Sequence, residues 1–558
     1  MPPPSIQHAF TLALQHHKAG RLQDAEPIYR QILLQQPTHA GALNMLGVLA
    51  LQTGHDDTAI TFARQAIALQ PNLAEAHCNL GNALRNQNQL DDAIAAYRQA
   101  LALKPNLSEA SSNLAAVLIA REQLEEAVAA CRHAIAHKPN FPQAHNNLGH
   151  ALKRLGRLDE ALAAYRHAIA LAPQLPEAHH SLAIALADLG LLDEAIATYR
   201  QTIALQPTYP EAHYNLAMLL LLRGDFHAGW PEHEWRWKTR NLRARCRQFP
   251  QPQWDGAPLA GRTILVHTEQ GLGDALMFCR YLPLLAARGG RILLECPPEL
   301  HHLLQSSPAF ASLTLLTAGQ PLPAIDFHCP LLSLPLAFRT TPDSIPHTVP
   351  YLQPDPTLVQ LWQDKLASIE PRVETRGQRT RDLHPASPPQ NSTPLPLTNY
   401  QLPPFKVGLV WAGRKEHVND HNRSLPLAAF APLAAIPNIT FFSLQKGERA
   451  SEAAHPPAGM HLIDFTPDLH NLVNTAALIA NLDLIISVDT AVAHLAGALA
   501  RPTWVLLPFL PDWRWLLDRN DSPWYPTMRL FRQPNPAAGP AVLPSVAAAL
   551  TQLASNPR

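Results

Sequence analysis

No apolar run in this 558-residue chain approaches the roughly 20 residues that a membrane-spanning helix needs; the longest, Leu216–Leu222, falls far short. Neither sign of charge prevails. Lysine plus arginine and aspartate plus glutamate number 44 each, with no long basic run, which argues against a nucleic-acid-binding protein. Cysteine is sparse: six residues, at 78, 131, 246, 279, 296 and 329, with no CxxC pair. They are expected to be reduced, mostly buried thiols of a cytoplasmic protein. The opening Met1-Pro2-Pro3-Pro4-Ser5 lacks the basic-then-apolar pattern of a secretory leader.

Proline is not scarce, and its placement organises the chain. It stands at 37, 71, 105, 139, 173 and 207, always 34 residues apart. Leu12, Leu46, Leu80, Leu114, Leu148, Leu182 and Leu216 keep the same step, as do Ala25, Ala59, Ala93, Ala127, Ala161 and Ala195. Gly20, Gly54, Gly156, Gly190 and Gly224 share a third register, completed by Asn88 and Glu122. Between the markers the apolar spacing is helical, as in Ala93, Ile94, Tyr97, Ala100 and Leu101. A small residue at a helix end, a second helix, then proline punctuates a helix–turn–helix unit. Alanine lets two helices approach closely, and leucine fills the seam between them.

This 34-residue unit resembles the tetratricopeptide repeat, which implies an all-α solenoid of antiparallel helix pairs over residues 1–240. Gly224–Trp230 begins a seventh second helix, and Trp230, Trp235 and Trp237 mark it as a capping unit able to bury the last repeat against a following domain. One first-helix register is polar: Asn79, Asn113, Asn147 and Asn215, with Met45 and Ser181 in the same place. It is similar to the asparagine ladder of the O-linked N-acetylglucosamine transferases, and the resemblance implies a grip on the backbone of a protein or peptide partner in the concave face. The alternative is that each asparagine caps or solvates its own helix. The repeat surface serves equally as a tether or an oligomerisation face. His77, His145, His179 and His213 recur two residues earlier. Successive repeats stack about 10 Å apart, too far to share a zinc at bonds near ~2 Å, so packing is expected of them.

The period dies after about residue 235. Thr263–His267 is a short β-rich run that meets Gln270-Gly271-Leu272-Gly273-Asp274 and a helical pattern through Arg288. Arg291–Cys296 is a second strand. Asp483–Val488 is a buried strand leading into Asp489-Thr490-Ala491-Val492-Ala493-His494, a helix, and a strand at Thr503–Leu507. Apolar strands alternating with helices imply parallel sheets covered on both faces. Residues 368–404 carry eight prolines and no apolar period. We therefore expect two α/β Rossmann-like domains, 258–366 on an acceptor side and 405–558 on a donor side, joined by a disordered proline-rich linker, 367–404. A tail helix, 542–554, is expected to return to the first domain. Two such domains facing across a cleft form the architecture called GT-B.

Asp489, Thr490, His494, Leu495, Ala496 and Pro502 stand in a pattern similar to the donor-binding segment of glycosyltransferase family 9, the ADP-heptose:lipopolysaccharide heptosyltransferases. Gly271-Leu272-Gly273-Asp274 resembles that family's first turn, whose aspartate is the proposed base. Arg423, before Ser424-Leu425-Pro426, sits where the family places a basic residue near the donor phosphates. Ala491 departs from the family's glycine, which puts close backbone approach to the donor in question. The resemblance implies a nucleotide-sugar substrate, ADP-heptose by one likeness and a UDP-sugar by the other.

The residues alone point the same way. A helix N-terminus after a strand offers free N–H groups to phosphate, and Thr490 and His494 lie on one helical face beside it. They would hold a diphosphate with no metal and no cofactor. Asp489 reads as a helix cap or as a partner for a ribose hydroxyl. Asp274 reads as a general base that takes the acceptor hydroxyl proton during an inverting attack, or as a helix cap. Gly271 and Gly273 would let backbone approach a ligand. Arg423, Lys446, Arg414 and Lys415 follow strand carboxyl ends, where such folds bind ligands. Arg423 reads as the group that stabilises the leaving nucleoside diphosphate, and the other three read as donor-site cations or as surface charges. Asp512-Trp513-Arg514-Trp515 reads as a cleft wall or as core. The functional expectation is a glycosyltransferase; its rival is a non-catalytic repeat scaffold with a degenerate transferase-like domain.

Overall fold

The computed structural model describes residues 5–369, 404–417, 419–535 and 539–555. The chain divides into two compact units, Met1–Ala212 and His213–Arg558.

The first unit is all helical and follows the 34-residue period, from Ile6–Lys18 paired with Leu22–Gln35 to Pro176–Asp188 paired with Leu192–Leu205. Each pair turns on a residue in the left-handed region. Glycine does this at 20, 54, 156 and 190, and Asn88 and Glu122 hold the same backbone at φ 60°. For Glu122 the strain is about 1 kcal/mol, since its Cβ crowds the following carbonyl. The alanine register sits where paired helices touch: Ala25, Ala93, Ala127, Ala161 and Ala195 are wholly buried. Each period proline follows a second helix directly, after C-caps such as Gln70, Lys104 and Lys138, and its missing N–H stops the helix. The histidine register has a structural task. Nε2 of His77, His145 and His179 lies 3.0 Å from the carbonyl oxygen of Pro71, Pro139 and Pro173, tying each first helix to the loop before it.

The second unit begins earlier than the expected boundary at 240. The helix Phe226–His233 and the 3-10 segment Glu234–Lys238 are built into the α/β unit. Trp230 is buried and donates through Nε1 to Thr340 O at 2.9 Å, and its ring meets the edge of Trp513 at 5.3 Å. Phe226 packs on Trp524. Burial of these large rings in an aromatic cluster, at about 2–3 kcal/mol each, assigns the cap to the sheets that follow.

Two parallel sheets organise this unit. The first contains β1 (Thr263–His267), β2 (Arg291–Cys296), β3 (Thr314–Thr317) and β4 (Phe327–Pro330) in the order β3-β2-β1-β4. The second contains β5 (Phe405–Val410), β6 (Ile439–Ser443), β7 (Leu462–Asp464), β8 (Leu484–Val488), β9 (Thr503–Leu507) and β10 (Met528–Arg532) in the order β10-β9-β8-β5-β6-β7. β5, β8 and β9 are apolar almost throughout because helices cover both faces. The helical pattern to Arg288 is broken: Leu272–Phe278 and Leu282–Ala286 flank a 3-10 turn, with Pro283 opening the second piece.

Two crossings differ from expectation. The tail helix Leu543–Ser555 does not return to the first sheet. Its Leu543, Val546 and Leu550 join the core of the second with Val407, Phe430 and Leu433. The helix Pro356–Ile369 instead leaves the first half in sequence and packs on Leu472–Ala480 of the second, where Asn481 Nδ2 donates to Val359 O at 3.0 Å. Of the expected linker, 367–404, residues 367–369 instead end the helix Pro356–Ile369, and 370–403 lie outside the described residues. All six cysteines are free thiols and five are buried. Among the described residues no helix is long and apolar enough to cross a membrane.

Candidate functional site

In the second sheet the chain runs from β5 outward to β6 and β7 on one side, then returns to lay β8, β9 and β10 on the other. The crevice between β5 and β8 is thus the topological switch point, where connections diverge and open α/β sheets bind ligands. The helix Ala491–Ala498 starts there, directly after β8. Its N-cap is Thr490, not Asp489, and no side chain caps it, because the Thr490 hydroxyl lies 3.0 Å from Ser487 Oγ. The amides of Ala491 and Val492 have no protein acceptor among the described residues. Beside them Arg423 donates from Nη1 to Asp489 O at 3.1 Å. Its guanidinium lies against Gly413 in the loop after β5, where a Cβ would come within 2.4 Å of Nη2. Ser424 Oγ accepts from Gly413 N at 2.9 Å and bonds Asp420, which also faces Arg423 Nε at 3.4 Å. Two orphan amides and one positioned cation make an anion cradle at this turn. Lys446 stands apart, exposed, with Nζ on Thr466 O at 3.1 Å.

The first sheet's turn meets this cradle. A Cβ on Gly273 would lie 3.1 Å from the His494 ring and 3.5 Å from Ala491 Cα. Gly273 therefore lies at a helix-to-helix contact, and its missing Cβ makes the room that Ala491 fills. Asp274 Oδ2 accepts from Gly271 N at 3.0 Å, capping its helix, and Oδ1 is ion-paired with Arg514. Arg514 also pairs with Asp512 Oδ1 at 2.7 Å. Both oxygens of Asp274 are thus engaged. Arg514 itself, in a tetrapeptide read only as wall or core, joins the two halves.

Asp489 faces the same cluster, its carboxylate 3.8 Å from His494 Nε2. Burial and then the nearby charge of Asp512 push its pKa up, against the pull of Arg514 and Arg423. His494 is buried, stacked on Trp515 at 5.4 Å and bonded at Nδ1 to Tyr525 OH at 3.1 Å. Burial, with Arg514 and Arg280 nearby, holds its imidazole neutral.

Two buried arginines brace the site, and neither was singled out from sequence. Arg280 lies among the rings of Tyr351, Trp524 and Tyr525 and donates to Met277 O, Pro346 O, Trp524 O and Tyr351 OH. Arg236, fully buried, pairs with Glu234 and Glu269 and donates to Ser333 Oγ at 2.7 Å. The available signal was a lone arginine inside an apolar run, Ala275–Leu282, and one between two tryptophans. A buried charge there requires dedicated partners.

In the first unit the asparagine register stitches neighbouring repeats. Asn79 Nδ2 donates to Asn44 Oδ1 at 2.8 Å, Asn113 to Asn82 Oδ1 at 2.9 Å, and Asn147 to Ser112 O at 3.0 Å. Ser181, in the same register, lies 3.2 Å from His150 Nε2. Asn79, Asn113 and Asn147 are half-buried and Ser181 is buried; each of these asparagines donates from Nδ2 to the preceding repeat. Asn215 lies on the helix Pro210–Leu222. Among the described residues no group of three or more His, Cys, Asp or Glu is arranged to hold a metal.

Tetratricopeptide repeat family models match residues 10–74, 74–107, 117–156, 142–175 and 185–224. The model of glycosyltransferase family 9 (heptosyltransferase) matches residues 434–506, which hold β6 to β8 and the helix Ala491–Ala498. The chain is 26% identical over 361 residues to Protein FlbA of Caulobacter vibrioides, covering 61% of this chain and 54% of that protein, so it spans about half the length of this relative. Solved structures similar to it include MamA, at 25% identity and TM-score 0.27 over 29% of this chain and 94% of that one. A thermophilic tetratricopeptide protein of Thermus thermophilus matches at 25% identity and TM-score 0.30 over 33% and 99%. YrrB, described as having an unusual peptide-binding site, matches at 20% and 0.28 over 34% and 96%. The chain combines tetratricopeptide repeats with a segment of glycosyltransferase family 9 type.

Proposed function

We propose that this chain is a glycosyltransferase of GT-B architecture that moves a sugar from a nucleotide-sugar donor to a polypeptide acceptor recruited by the repeats. The observation that carries the proposal is the anion cradle at the β5–β8 switch point, inside the segment that matches family 9. The Ala491 and Val492 amides, the helix dipole behind them and Arg423 would hold the diphosphate. His494 adds a neutral donor, whereas the Thr490 hydroxyl gives its proton to Ser487 Oγ, whose own proton goes to Val488 O. The leaving nucleoside diphosphate is thus stabilised by fixed protein groups with no metal assigned to the step. Asp274 is our assignment for the proton. The acceptor oxygen attacks the anomeric carbon from the face opposite the leaving group, its proton passes to the Asp274 carboxylate, and the C–O bond to phosphate breaks with inversion. For this Arg514 must release Asp274, and Asp512 is placed to keep it. In the repeats, the Oδ1 atoms of the register Asn79, Asn113, Asn147 and Asn215 are our assignment for contact with acceptor backbone.

The engagement of both Asp274 oxygens favours a second reading, a repeat scaffold that binds nucleotide without turnover. One experiment separates the two. Purified full-length protein is incubated with a panel of ADP-, UDP- and GDP-sugars and acceptor polypeptides, and nucleoside diphosphate release is followed. The enzyme reading expects turnover with one donor class, abolished in Asp274→Ala while nucleotide affinity is kept. Binding with no turnover in the wild type supports the scaffold, and neither binding nor turnover refutes both.

A further inference from the structure

His494 presents Nε2 toward the carboxylate of Asp489, the residue two before Ala491 at the cradle, and Nδ1 toward Tyr525. What it can do for a ligand depends on which nitrogen carries the proton. A neutral imidazole has one N–H and one lone pair, and the partner of one nitrogen sets the state of the other.

The surroundings decide this. The Tyr351 hydroxyl donates to Leu276 O at 2.9 Å and accepts from Arg280 Nη2 at 3.0 Å. Its donor is spent. The Tyr525 hydroxyl lies 3.1 Å from His494 Nδ1 and 3.5 Å from Tyr351 OH, and the Arg280 guanidinium is also a hydrogen-bonding neighbour, one that can only donate. The shorter contact is a normal hydrogen bond and the longer one is at the limit of any. The Arg280 guanidinium lies 4.4 Å from the centre of the Tyr525 ring, and a cation there makes the phenol a better donor and a poorer acceptor. On the other side, Nε2 faces the Asp489 carboxylate at 3.8 Å. A lone pair aimed at a carboxylate oxygen is repelled, whereas an N–H is attracted.

We propose that Tyr525 is a positioning residue: by donating its hydroxyl proton to Nδ1 it fixes His494 in the tautomer that carries its proton on Nε2, on the side of Asp489 and the turn that opens the helix Ala491–Ala498. This rests on the donor-site reading above for its purpose but not for its existence. His494 would then give a phosphate oxygen a neutral donor at any pH near neutrality, since burial keeps the ring uncharged. Arg280 and Tyr351 hold Tyr525 in turn, which gives the buried cation among three rings a task.

Two measurements test it on the full-length chain. The first is the tautomer of His494, read from its ring 15N shifts by long-range 15N–1H correlation in ligand-free protein and assigned by the signal lost in His494→Gln. The expected result is a neutral ring protonated at Nε2. A ring protonated at Nδ1 overturns the proposal, whether or not any nucleotide binds. The second is a cycle with ADP, UDP and GDP as probes. Tyr525→Phe is expected to weaken the bound nucleotide about tenfold, the loss of one hydrogen bond to a charged group. His494→Gln places an amide N–H near the position of Nε2 with no tautomer to set, so adding Tyr525→Phe to it should cost less than twofold. Equal losses in both backgrounds would mean that Tyr525 acts only through packing and would overturn the assignment. If no probe binds the wild type, the donor-site reading fails while the 15N measurement still decides the tautomer.

Discussion

Asp489 is the residue on which sequence and structure part most clearly. Its place before a helix reads as a cap, yet Thr490 holds that position, and Asp489, itself half-buried, faces buried His494 and half-buried Asp512. Removal from water, then the charge of Asp512, raises its pKa from the ordinary 3.8 to about 6. The unfolded chain releases this proton near pH 4 and the folded one later. Stability therefore falls as pH rises from about 4 to about 6 and stays lower above that. Asp489→Asn should remove the penalty, leaving the second unit more stable than wild type at pH 7 by up to roughly 3 kcal/mol, with the gap closing toward pH 4. All ten tryptophans lie between 230 and 524, in the second unit, so urea melts followed by tryptophan fluorescence report this directly. A difference that grows on acidification would contradict burial as the cause. What no sequence reading reaches is which side chains from the other half arrive beside Asp489. Arg514 is 240 residues from its partner Asp274, and only the folded sheets bring them together.

At the scale of elements, periodicity carried most of the information. The period fixed helix pairs in the first unit, and the left-handed register identified its turns even where Asn88 and Glu122 replace glycine. In the second unit β1, β2 and β9 lie where their continuous apolar runs place them. β3, β4, β7 and β10 were missed because they are short or only partly apolar, so their burial follows from neighbours and not from pattern. The seams inside the repeats depend on glycine in a way the period hides. A Cβ on Gly149 would come within 2.5 Å of the Tyr165 ring, which is wholly buried and cannot yield freely, whereas one on Gly47, in the same register, would meet its nearest neighbour at 3.5 Å. Gly149→Ala should destabilise the repeats by about 1–3 kcal/mol through overpacking. Gly47→Ala should be neutral or stabilising by up to about 1 kcal/mol through helix propensity. Far-ultraviolet circular dichroism melts of the two variants check this; equal melting behaviour would show that the Tyr165 seam is looser than its geometry.

For the whole molecule, two compact units divide the work: repeats stitched by side chains from one pair to the next, and an α/β unit in which two parallel sheets share the residues of one candidate site. The number of sheets and their parallel character were legible in the sequence. The unit boundary at 212 was not, because the repeat pattern continues past the point where Phe226, Trp230 and Arg236 commit to the sheets. Nor was the crossing of Pro356–Ile369 onto the second half, since an amphipathic helix does not state which sheet it covers. The central claim is that the β5–β8 switch point binds a nucleoside diphosphate through Arg423 and free helix amides. Calorimetric titration of ADP, UDP and GDP into the full-length chain and into Arg423→Ala tests it most directly, with tryptophan fluorescence confirming that the variant is folded. The account predicts that one of the three binds, and that loss of a charge-assisted hydrogen bond weakens it at least about tenfold in Arg423→Ala. Absence of binding by all three, or equal affinity in the folded variant, would contradict it.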